Sequence, residues 1–139
     1  MSAATDDLLA RLATARRQEK GMTLFYRALA AEAELEGREE EAERLNGLHA
    51  DEQHHLSRLT ARLLELGVAP ESLREIPRPT PGLDGWEGPA RDREAREIAF
   101  YREWVAAGVE DDVTLAIVNE ILESEEHHHR ELGGKWMSA

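Results

Sequence analysis

The 139-residue chain has no cysteine, which excludes disulfides, thiol nucleophiles, Cys-ligated zinc and iron–sulfur clusters; any metal site must use carboxylate and imidazole. Basic residues are scarce, 17 Lys and Arg against 29 Asp and Glu, and the net charge is −12. With no basic block to track a phosphate backbone or an anionic bilayer, neither nucleic acid nor membrane is an expected partner, and cations are favoured. No apolar run approaches the roughly 18 residues of a membrane span. Residues 2–14 carry Asp6, Asp7 and Arg11 and so lack the plan of a secretory signal, which makes the expected location cytoplasmic.

Glycine and proline are few and concentrated. The breaks are Gly37, Gly67, the stretch Pro70 to Pro89, Gly108 and Gly133–Gly134. Between them lie segments rich in Ala, Leu, Glu and Arg, strong helix formers, with β-branched residues too scattered for strands. Four helices are predicted in one domain: α1 over about 5–36 with Thr5 as N-cap, α2 over 38–66, α3 over 89–107 with Pro89 at its start, and α4 from 111 or 112 to 132. Short α1–α2 and α3–α4 turns imply antiparallel neighbours, whereas residues 67–88 are long enough to cross a bundle. The expected class is all-α, a four-helix bundle of two antiparallel pairs joined by one long crossover.

The inward stripe of each helix, read at alternating three and four spacing, contains acid. In α1 it runs Leu12, Ala15, Glu19, Met22, Tyr26; in α2 Leu48, Glu52, His55, Leu59; in α3 Ala90, Glu94, Glu97, Tyr101, Trp104; in α4 Val118, Ile121, Glu125, His128, Leu132. The halves also repeat. Glu19 with Phe25-Tyr26 matches Glu94 with Phe100-Tyr101 at an offset of 75, and Glu52-x-x-His55 matches Glu125-x-x-His128 at an offset of 73. The i, i+3 spacing puts each Glu and His on one helix face.

Five inward carboxylates, Glu19, Glu52, Glu94, Glu97 and Glu125, cannot remain ionised unaided, because an unpaired buried charge costs several kcal/mol, on the order of the whole stability of a domain. The stripes offer no Lys or Arg at that level. Two divalent cations would bring the cluster close to neutrality, and mixed Glu/His coordination suits iron or manganese, with zinc also compatible.

A lone Glu on each of two helices, Glu-x-x-His on the other two and a long central crossover resemble the ferritin-like di-metal carboxylate superfamily. The duplicated halves, the Phe-Tyr after each lone Glu and the 33-residue separation of Glu19 from Glu52 are most similar to the four-helix domain of rubrerythrin, over about Leu8 to Leu132. The resemblance implies two iron ions. Glu52 and His55 would hold one and Glu125 and His128 the other, with Glu19 and Glu94 bridging or terminal. Glu97, whose counterpart is Met22, matches an additional carboxylate and makes the two metals inequivalent. Tyr26 and Tyr101 would hydrogen-bond ligand carboxylates. The implied activity is oxidation of Fe(II) by hydrogen peroxide or dioxygen, with Glu97, Tyr26 and Tyr101 as the residues near the chemistry. The rubredoxin-like segment of full-length rubrerythrin needs cysteines, so the electron donor would be another protein. The alternatives are an iron-storage or metal-binding component without turnover, and a structural bundle that uses its acidic helices for partners. A homodimer or larger homo-oligomer is expected, with the long connection able to exchange halves between chains.

Other features are read more plainly. His54, His127 and His129 lie off the inward stripes and are surface residues, His49 is a candidate neighbour of the site, and Phe25, Phe100 and Trp104 serve packing or an interface. Glu39–Glu41 is a solvated helix start favoured by the helix dipole.

Overall fold

The computed structural model describes residues 4–133 and contains four helices and, among the described residues, no strand. The helices are α1 (Asp6–Leu35), α2 (Glu39–Glu65), α3 (Glu87–Ala107) and α4 (Asp112–Gly133). Gly134, the second glycine expected after α4, and the start of the N-terminal segment lie outside the described residues.

Local chemistry sets most of the helix ends. The Thr5 side chain accepts a hydrogen bond from the Leu8 amide and so caps α1. Gly37 and Gly67 take positive φ, 70° and 80°, just past α1 and α2. There the amides of Arg38 and Val68 reach back to the Ala33 and Leu63 carbonyls, closing each helix with a left-handed turn that favours glycine. Asp111 caps α4 by accepting from both the amide and the hydroxyl of Thr114. α3 differs from the expected start at Pro89 and begins two residues earlier. Trp86 is buried and its indole N–H donates to Glu41 at 3.0 Å, which fixes the chain entering the helix. Pro89 is tolerated because first-turn amides have no intrahelical partner to lose.

α1 packs on α2 and α3 on α4, with α2–α4 and α1–α3 contacts joining the pairs. The buried apolar residues form two clusters. One gathers Met22, Tyr26, Leu29, Leu45, Leu48, Trp86 and Leu132; the other gathers Leu8, Leu12, Leu59, Leu63, Tyr101, Trp104, Val118 and Ile121. Along each helix the inward acidic residues fall between its contributions to the two clusters. A polar layer therefore crosses the middle of the core, shielded at both ends by apolar packing.

Residues 66–86 connect the halves without regular structure and are pinned to the bundle. Arg16 is buried, its guanidinium donating to the Thr60 hydroxyl and the Glu71 carbonyl. Arg17 forks onto the Glu71 carboxylate at 2.7 and 2.8 Å, and Leu83 is buried in the first cluster. Among the described residues no helix is long and apolar enough to cross a membrane.

Candidate metal centre

All six residues of the duplicated pattern meet in the polar layer. Glu19, Glu52, Glu94 and Glu125 are each 0 % exposed and His55 and His128 3 %. Their donor atoms fall into two groups, Glu19, Glu52, His55 and Glu125 in one and Glu52, Glu94, Glu125 and His128 in the other, with the atoms of each group within 4.8 Å of one another. Glu52 and Glu125 belong to both, and the lone Glu19 and Glu94 to one each.

Each Glu-x-x-His pair stays together in one group, and the glutamate of the other pair joins it there. Each imidazole faces a glutamate from each half of the chain. His55 Nδ1 lies 3.0 Å from Glu125 Oε1 and 3.6 Å from Glu52 Oε1, and His128 Nδ1 lies 3.4 Å from both Glu52 and Glu94 oxygens. The contact between α2 and α4 carries the two glutamates to the shared middle and leaves the lone glutamates of α1 and α3 at its sides. Glu97 is buried beside the cluster but belongs to neither group.

The tyrosines are tied to the lone glutamates across the duplication. Tyr26 Oη donates to Glu94 Oε2 at 2.7 Å, and Tyr101 Oη donates to Glu19 Oε2 at 2.9 Å. Burial, then the neighbouring carboxylates, raise both phenols well above the ordinary tyrosine range, so they stay protonated donors.

Asp51 is the residue that the sequence pattern missed. Its carboxylate lies 2.8 Å from His128 Nε2, an acceptor for Nε2–H on the outer side of the ring, while Nδ1 faces the cluster. Asp51 falls below the ordinary aspartate range chiefly through this bond. Burial opposes a charged His128, but Asp51 and then Glu94 outweigh it and raise the imidazolium to about 10. The available signal was a break in the repeat: at the offset of 73, Asp51 corresponds to Ser124.

The remaining carboxylates show what the cluster lacks without a metal. Burial, followed by repulsion from neighbouring glutamates, pushes Glu52 and Glu125 well above the usual carboxylate range and Glu97 to about 9. Burial also pushes Glu94 upward, but the adjacent His128 and Glu125, with the bond from Tyr26, leave it lowered. Both oxygens of Glu52 and of Glu125, one of Glu94, one of Glu97 and Nδ1 of His128 are buried without a hydrogen-bond partner. Orphaned polar atoms at this density are uncommon in native interiors. Convergent oxygens plus imidazole nitrogen are a donor set for divalent metal, and the residues fit one.

No family model, curated protein or solved structure matches the chain.

Of the other histidines, His54 is exposed and pairs with Glu120 at 3.2 Å. His127 is exposed and His129 half-buried, and neither belongs to a donor group. His49 faces a separate cavity with Lys20 and Arg27. Phe25 and Phe100 stack edge-on against Tyr26 and Tyr101 at 5.4 and 5.1 Å, holding the phenols that point at the glutamates.

Proposed function

We propose that the polar layer is a dinuclear metal centre of ferritin-like, rubrerythrin-like type, and that the protein is a di-iron redox enzyme drawing electrons from another protein. The observation that carries this reading is the pair of donor groups sharing Glu52 and Glu125, with buried donor atoms that no protein group satisfies. In this reading α1/α2 and α3/α4 are antiparallel pairs and residues 66–86 are the crossover. The bond from Arg16 to Thr60 and that from Asn46 to Glu34, which link early α1 to late α2 and late α1 to early α2, support the first pairing.

Glu19, Glu52, His55 and Glu125 would hold one ion, and Glu52, Glu94, Glu125 and His128 the other. When bound, two iron ions supply a two-electron couple that reduces hydrogen peroxide, with two protons, to two waters, and the external donor restores the two electrons. The protein residues position and shield. Tyr26 and Tyr101 fix the outer oxygens of Glu94 and Glu19, leaving the opposite oxygens for metal, and Asp51 fixes the His128 tautomer that presents Nδ1. Glu97, a buried carboxyl raised to about 9, would keep a proton beside the cluster at neutral pH and serve as its local proton store. The two apolar clusters limit water on either side.

The test is anaerobic addition of about two equivalents of Fe(II) followed by peroxide or dioxygen, read by stopped-flow absorbance. Fast oxidation in the native protein, lost in a Glu52→Ala, Glu125→Ala variant that still folds, is expected. Equal rates in native and variant protein would refute the reading, and uptake of many more than two irons per chain would favour storage.

A further inference from the structure

A cavity of about 540 Å³ lies outside the metal centre, against α1, α2 and the connection 66–86, and its charge is opposite to that of the protein. Lys20, Arg27 and Arg78 line it with the imidazole of His49, and no carboxylate does. In a chain of net charge −12 this concentration of cations is local and unusual. Arg27 is shared with Glu34 and Asn46 at the rim. Lys20 and Arg78 form no ion pair among the described residues. Burial, and then the charges of Arg27 and Lys20, hold the His49 imidazole below its ordinary value, so these side chains bear on one space.

Apart from Thr23 and Gln53, the remainder of the lining is apolar. Leu24, Ala28 and Ala31 of α1 and Pro79 of the connection supply it. The volume falls within the range of roughly 300–1,000 Å³ typical of small-molecule sites. A bare inorganic anion would meet the cations and leave the apolar wall wet, whereas a neutral apolar molecule would make no use of Lys20, Arg27 and Arg78. A ligand with both an acidic head and an apolar body satisfies the whole lining.

We propose that this cavity binds an organic carboxylate with an apolar body, its head held by Lys20, Arg27 and Arg78 and its body on Leu24, Ala28 and Pro79. The site is independent of the dinuclear centre. Lys20 and Gln53, which line it, directly follow Glu19 and Glu52 along their helices, on a different face from those glutamates.

Isothermal titration calorimetry of decanoate into the full chain tests it, with and without divalent metal. One saturable site per chain is expected, weakened about tenfold or more in a Lys20→Gln, Arg78→Gln variant and blocked in Ala28→Phe, which fills the wall. Circular dichroism checks that both variants keep native helix content, and inorganic phosphate should bind far more weakly than decanoate. Unchanged decanoate affinity in the folded charge variant would overturn the proposal, as would phosphate binding as tightly as decanoate. If one variant fails to fold, the other decides.

Discussion

Replacing Glu97 by Gln should stabilise the metal-free protein, although it removes a residue assigned to the site. Glu97 is 8 % exposed, and burial together with repulsion from Glu19 and Glu94 raises its carboxyl from 4.5 to about 9, despite the nearby charges of Arg93 and Arg96. In the unfolded chain at pH 7 the same group is ionised. Folding must therefore take up a proton, at about 1.4 kcal/mol for each pH unit above the unfolded value, or about 3 kcal/mol at pH 7. A raised carboxyl binds its proton more tightly in the folded state, so its penalty is absent below pH 4.5, grows as pH rises and levels off near 9. Glutamine keeps the shape and cannot ionise. The metal-free Glu97→Gln variant should gain up to about 3 kcal/mol at pH 7, equivalent to roughly 6–15 °C in melting temperature for a domain of this size, and almost nothing at pH 4.5. Thermal unfolding in chelator at pH 4.5, 7 and 9 measures this. No gain at pH 7, or an equal gain at all three values, would refute the account of Glu97 as a protonated buried acid.

The metal-free native protein should lose stability steadily as pH rises from about 5 to 9, because raised Glu52, Glu97, Glu125 and His128 all bind more protons folded than unfolded; melting curves across that range check the sign. Saturating Mn(II) should flatten this slope by replacing those protons, and should raise stability by about 2.7 kcal/mol when free metal is about a hundredfold above its Kd. Tyr101→Phe removes the only phenol bonded to Glu19 and should cost the metal-free protein about 1–3 kcal/mol in urea unfolding. Arg16→Met should cost a similar amount and speed proteolysis within residues 66–86, since it cuts the bonds to Thr60 and Glu71; an unchanged cleavage rate would remove Arg16 as a tether.

Helix positions were legible because the helix-forming segments are long and their stops are chemically explicit: Thr5, Gly37 and Gly67 act through caps and turns encoded in a few adjacent residues. The two-residue difference at α3 arose where a distant bond from Trp86 to Glu41 set the boundary. Periodicity and repetition made the six clustered residues legible. The sharing of Glu52 and Glu125 was not, because it depends on how α2 meets α4, and a stripe records the face of one helix and nothing of its partner's register. Asp51 escaped because it is exposed, at a position where an acidic residue ordinarily faces solvent. The cationic cavity was hidden for another reason: Lys20 and Arg78 are distant in sequence, and the connection that joins them has no period to read.

Each donor group draws on both halves of the chain, α1 and α2 on one side and α3 and α4 on the other, so neither half contains a complete site. The contacts between halves are also fewer than those within them. Cutting the chain inside residues 66–86 should accordingly yield two helical hairpins whose affinity for each other depends on divalent metal. In that setting the centre acts as a ligand-controlled joint between two fragments, and its loading can be read from whether they associate, without any redox measurement.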